Sequence, residues 1–168
     1  MRTPNPVLSL PILLATVLTA VPAAAACADA AGPRVDWRRC LMDGRNLSGL
    51  DLSGAVLRDA SLSRAQLVET RLPGADADSV RLGFADLDGA DLTGARLRNA
   101  DLTRATLRGA TLRNVDLRRA RLFAANLSGA DLTGALLEGA DLLNATLDGA
   151  RWTDGQRLCA PGSTGNCL

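Results

Sequence analysis

The sequence predicts an all-β solenoid of about six coils, each twenty residues long and four-sided. Three observations carry the prediction: a five-residue period that never slips, a spacing of apolar places that no helix can use, and a charge order that selects the coil length.

From Asp36 to Gly155 the chain divides into 24 units of five, beginning DWRRC, LMDGR, NLSGL, DLSGA and ending RWTDG. The second place of a unit is Leu in 20 of them, and otherwise Trp37, Met42, Ala77 or Trp152. The place two before it is Ala in 17 of 24. Apolar residues therefore recur at intervals of two, three, two, three. On a helix of 3.6 residues per turn this pattern scatters round the axis and leaves no stripe to bury. On a strand a step of two keeps one face, whereas a step of three flips it. The chain must therefore turn a corner once per unit to keep Leu and Ala inside. Gly49, Gly54, Gly89, Gly94, Gly129 and Gly134 stand where such a corner needs a positive φ.

The residues just before each Leu point outward, and in a stacked coil each lies about 4.8 Å from its counterpart one coil on. Unlike charges stabilise such a pair and like charges destabilise it. A 15-residue coil makes one unlike and six like pairs, and a 25-residue coil makes six like and none unlike. A 20-residue coil makes eight unlike pairs and no like ones, among them Asp51 with Arg71, Asp76 with Arg96 and Asp101 with Arg121. Four units per coil is the arrangement the charges select.

Repeats such as GADLTGARLRNADLTRA resemble those of the pentapeptide repeat family, over 120 of the 168 residues. The resemblance implies a right-handed quadrilateral β-helix with one five-residue unit on each side, and hence a rod roughly 29 Å long at about 4.8 Å per coil.

The rest of the chain frames this solenoid. Residues 1–26 carry Arg2, the apolar run Val7 to Val21 and the alanines Ala23 to Ala26, which read as an export signal cleaved near Ala26. The apolar run is too short for a span of about 20 residues, so no transmembrane segment is expected in the mature protein. Residues 27–35 form an N-terminal cap segment, 36–155 the solenoid and 156–168 a disulfide-capped tail. An exported protein, periplasmic or secreted, meets an oxidising compartment. Of the three pairings open to four cysteines, Cys27 with Cys40 and Cys159 with Cys167 are favoured, since each closes a short loop and the two flank a region without Cys. The competing reading makes Cys27 a lipid-carrying N-terminus after a degenerate lipobox, Ala24 to Ala26. Trp37 and Trp152, in phase with the Leu column, are read as lids over the two ends.

Composition argues against catalysis. The chain has 31 Leu and 29 Ala, no His, no Lys and no Tyr. The commonest general base is missing, and four cysteines without His could make only an all-thiolate zinc site. No cofactor and no metal site are expected. The carboxylate pairs Asp76 with Asp78 and Asp86 with Asp88 point outward from regular faces that offer no pocket to shift a pKa. Asn46, Asn126 and Asn144 match a glycosylation pattern only because the repeat generates it. Ala77 is read as repacked by Val80, and Arg45, at an inner place in the first coil, as linked to Asp43 or to N-terminal carbonyls.

Function is therefore read as an exported, non-enzymatic structural or protein-interaction module. The rival from the family resemblance is a gyrase-binding DNA mimic. This chain departs from that pattern in its export signal, its balanced charge and its lack of a long apolar C-terminal helix, and no nucleic-acid partner is expected. Two candidate surfaces remain. Residues 36–95 carry a net −3, residues 96–121 a net +6 and residues 122–155 a net −4. In the basic belt, Arg96, Arg98, Arg118 and Arg119 share one side and Arg104 and Arg121 the next. Arg suits bidentate contact with phosphate or carboxylate, so weak binding of an anionic envelope component is the alternative function. The competing expectation is that these arginines simply pair with Asp101, Asp116 and Asp141. Phe84, Phe123 and Leu143 fall on one side of the rod and could make a partner contact or a weak homodimer.

Overall fold

The computed structural model describes residues 27–168; the segment read as an export signal, with the degenerate lipobox of the competing reading, lies outside the described residues. Every unit of the solenoid repeats one pattern, a single bridging residue followed by a turn. The bridges are parallel and join each first-place residue to the one twenty positions on, from Asp36 with Val56 to Asp131 with Arg151. Each coil is therefore twenty residues and four units. The first face is centred on Trp37, Leu57, Ala77, Leu97, Leu117 and Leu137. The second is centred on Met42, Leu62, Leu82, Leu102, Leu122 and Leu142. The third face follows the column ending at Leu147, and the fourth the column ending at Trp152.

The unit sequence follows from where its five backbone N–H groups go, since each must find an acceptor. In the unit beginning at Asp91, the first N–H donates back to Thr70 O at 3.0 Å, and the second and fourth donate forward to Thr111 O and Arg113 O, both at 2.8 Å. The fifth, that of Ala95, closes the turn on Leu92 O at 2.9 Å. The third, that of Thr93, donates to the Asp91 side chain at 3.0 Å. Asp or Asn at the first place is thus the acceptor that completes the unit, a local side-chain bond of the kind these residues favour. Asp101 and Asp131 repeat it. The fourth place takes a positive φ, between 54° and 73°, in every unit but the last, where Gly155 at the fifth place does so instead. Gly adopts this at no steric cost and Asn tolerates it, which accounts for Gly94 and Asn99. Arg64, Phe84, Arg104 and Arg119 adopt it against preference.

The second-place Leu and fifth-place Ala side chains form one continuous core along the rod. Ala77 and Val80 are both buried in it. Thr70, at an Ala place, is fully buried and donates its hydroxyl to Leu47 O at 2.9 Å, which satisfies a group that would otherwise be costly there. Arg45 departs from its expected setting. It is exposed, and Asp43 instead accepts from Ser61 Oγ at 2.5 Å and from the Ser63 N–H at 2.9 Å. With the first coil at an open end, the guanidinium reaches water rather than entering the core.

The two ends are built differently. At the start, Cys27 and Cys40 are bridged, and Trp37 is 1% exposed. At the other end Trp152 is partly buried and packs against the core, where it does not close the end alone. The tail completes the closure. It folds back antiparallel, pairing Arg151 with Leu158 and Thr146 with Thr164. Its carbonyls accept from Trp152, Gly149 and Leu147, through Arg157 O, Cys159 O and Ser163 O at 2.8 to 2.9 Å. The Cys159–Cys167 disulfide, with both residues buried, closes this cap. Covering edge N–H and C=O groups in this way blunts the template an open β-edge presents. The tail lies over the third and fourth faces, and Leu137 and Leu142 on the other two remain only partly buried. Among the described residues no helix is long and apolar enough to cross a membrane.

Candidate anion-binding faces

The basic belt divides between two adjacent faces that treat Arg differently. On the first face the centre is Asp116, whose side chain is 11% exposed. It accepts from Arg98 Nε at 2.5 Å, and from Arg118 through Nε at 2.8 Å and a terminal nitrogen at 2.7 Å. The Arg118 hydrogen bond, seconded by that of Arg98, holds the Asp116 carboxyl far below the usual carboxylate range against the opposing effect of burial. Arg96 reaches Asp78 at 3.5 Å, and Arg58 reaches Asp76 at 2.5 Å. The first face is therefore a chain of closed ion pairs. A shallow cavity of about 300 Å³ opens over it, lined by Arg98, Asn99, Arg118, Arg119 and Glu138. Only Arg119 among its arginines has no carboxylate partner among the described residues.

The second face has fewer closures. Arg121 reaches Asp101 at 3.8 Å. Asp141 accepts the Leu143 N–H rather than an Arg, so the expected Asp141 pairing is absent among the described residues. Arg104 stands over the Phe84 ring at 5.7 Å from its centroid, and Arg64 over the same ring at 5.8 Å. These distances are within cation–π range. Phe84 is 53% exposed. Phe123 is half-buried and Leu143 is exposed, on the same face two and three coils beyond Phe84. Arg64 was missed in the sequence, although the twenty-residue coil places it directly one coil before Phe84.

The carboxylate pairs show no catalytic arrangement. Asp76 is pulled below its ordinary range chiefly by its hydrogen bond to Arg58, the wrong direction for a general acid. Asp86 accepts from Thr106 Oγ1 at 2.8 Å and from the Asp88 N–H, and Asp88 accepts the Arg108 N–H. Asp86 and Asp88 are accounted for by the neighbouring coil or their own turn, whereas Asp76 Oδ1 and Asp78 Oδ1 are buried without a hydrogen-bond partner among the described residues.

The pentapeptide repeat model matches residues 40–76, 85–123 and 125–151 in eight copies, more than half of the chain. The chain belongs to the pentapeptide repeat family. Proteins of this family fold as right-handed quadrilateral β-helices and are generally non-enzymatic scaffolds. Among solved structures, the chain is similar to a pentapeptide repeat protein from Nostoc at 34% identity, covering 67% of this chain and 68% of that one with a TM-score of 0.25. It is similar to one from the Arabidopsis thaliana thylakoid lumen at 25% identity, covering 77% and 85%, with a TM-score of 0.37. It also matches QnrB1, a plasmid-mediated fluoroquinolone resistance protein, at 21% identity, covering 70% and 65%, with a TM-score of 0.33. No curated protein matches the chain.

Proposed function

We propose that this pentapeptide repeat protein is an exported, non-enzymatic interaction module, a right-handed quadrilateral rod of six coils that presents flat faces to a partner. The observation that carries this reading is the uninterrupted i to i+20 ladder from Asp36 to Arg151, which leaves side chains on regular outer faces instead of converging on a deep cleft. Export is supported by the leader pattern of residues 1–26 and by the two disulfides, bonds that persist in oxidising compartments. The bridge to Cys40 favours a disulfide role for Cys27 over lipidation.

A second reading, an anionic ligand, is favoured by the arginines that have no carboxylate partner. A gyrase-directed role is not favoured: a DNA-like surface must be acidic, and the middle of this rod carries a net +6 between residues 96 and 121. The test is fractionation of cells expressing the tagged full-length protein, followed by affinity capture. Recovery of an oxidised, leader-free chain outside the cytoplasm with a bound envelope partner is expected. A cytoplasmic, reduced chain would overturn the export reading.

A further inference from the structure

We propose that the second face holds a linear polyanion, bearing carboxylate or phosphate groups, on guanidiniums kept in place by Phe84. The inference rests on reading the protein as an interaction module and names the ligand chemistry of one face.

The argument begins with the backbone. Arg64, Phe84 and Arg104 occupy fourth places in three successive coils, with φ of 58°, 59° and 56°. Their side chains thus leave one corner in register, and a ring at the middle position meets a guanidinium from each neighbouring coil. Three bulky residues in a left-handed conformation that Gly or Asn adopts more readily is a cost, borne where the three side chains meet. A guanidinium attracted to a ring through its charge does not spend its N–H donors on a carboxylate, and those donors bind oxyanions bidentately. On the first face the opposite holds, because Arg98 and Arg118 point their in-plane donors at Asp116.

The second face also lacks the means to neutralise this row. Neither Arg64 nor Arg104 has a carboxylate partner among the described residues, and both are exposed. Among the described residues the side chain of Arg81, one coil before Asp101, makes a hydrogen bond from Nε to Ser61 Oγ at 3.3 Å and no ion pair. Asp43 is held by Ser61 and Ser63, and Asp101 by the Thr103 N–H. Arg64 and Arg104 therefore stand two coil rises apart, about 10 Å along the rod, with Arg81 between them in coil order.

The shape selects the ligand. A flat face with a row of donors along its axis suits an extended polymer, while small molecules are held in concave pockets. Arg64 and Arg104 both lie within cation–π range of the one Phe84 ring, so a nucleobase or a bilayer would have to compete with them for it.

Titration of the leader-free protein with polygalacturonate and with inorganic polyphosphate, at low and at physiological salt, tests the proposal. Binding that weakens with salt is expected, and whichever polymer binds identifies carboxylate or phosphate as the source. Arg64→Asn with Arg104→Asn should weaken binding about tenfold, the scale of losing charge-assisted hydrogen bonds. Phe84→Asn alone should weaken it about threefold, since both guanidiniums lose a platform of modest strength. Asn is at home at these backbone places, as Asn99, Asn114 and Asn144 show, so the variants should melt as the parent does. Arg98→Gln with Arg118→Gln should leave polymer binding within about twofold, because those donors are already engaged. No polymer binding at low salt, equal loss from the two double variants, or tighter binding of a single-stranded oligonucleotide or of anionic vesicles would overturn the site. Capture of a protein partner without polymer binding would sink this site and leave the module reading standing.

Discussion

The first and second faces carry the same residue type at neighbouring positions and put it to opposite use. On the first, Arg98 and Arg118 converge on one largely buried carboxylate, Asp116. On the second, Arg64 and Arg104 flank an exposed ring, Phe84. A local count of arginines does not separate these faces. What separates them is the neighbour each guanidinium meets in its own turn or the adjacent coil, Asp116 lying 18 residues from Arg98 and 2 from Arg118 while Phe84 lies 20 from both Arg64 and Arg104. This teaches that in a solenoid neighbouring coils, not the segment alone, set the electrostatics.

The sharpest way to break the comparison is Asp116→Asn. It removes the carboxylate that engages two guanidiniums and should destabilise the protein by about 1–2 kcal/mol, a discounted figure because both arginines stay in contact with water. Denaturant unfolding measures it, and the same variant should gain polyanion binding on the first face. A stability unchanged within error would show that the two ion pairs contribute nothing net.

Acid titration sharpens the same contrast. The folded-state pKa of Asp116 is depressed by Arg118 and Arg98, and those of Asp36 and Asp76 by Arg38 and Arg58. Their stabilisation is complete above the unfolded value of about 3.9 and is lost as pH falls through the lower folded values. The melting temperature should therefore hold from pH 7 to 5 and drop below about pH 4, with a shallower drop in Asp116→Asn. A loss of stability beginning near pH 6 would contradict this assignment.

Phe84→Asn tests the other face. Losing two exposed cation–π contacts costs about 0.5–1 kcal/mol each, while relieving a bulky residue at φ of 59° returns an effect of similar size. A net change within about 1 kcal/mol is expected in thermal melts. A larger loss would mean that the ring packs into the core. The smallest effect is expected for Arg121→Gln, whose pair with Asp101 is 3.8 Å long and exposed. Its stability change should stay below about 0.5 kcal/mol, and a larger one would show that the second face also depends on closed ion pairs.

Much of the scaffold was legible before any coordinates. The twenty-residue coil follows from eight unlike charge pairs, and the bridges reproduce that spacing from Asp36 to Arg151. Both disulfide pairings match the short-loop argument. The tail's part in closing the C-terminal end is not legible, because phase with the Leu column places Trp152 against the core but says nothing of what folds over that end. The site was less legible for a related reason. Net charge placed a basic belt at residues 96–121, but Arg98 and Arg118 turn inward to Asp116, while Arg64 and Arg81 lie outside that segment.

By itself the sequence determined the period, the coil length and the buried columns, because all of these are fixed by local geometry repeated in register. Only the tertiary structure decided which arginines are neutralised, which stack on Phe84 and which faces the tail covers. Those outcomes depend on side-chain directions and on end contacts between residues that no repeat unit contains.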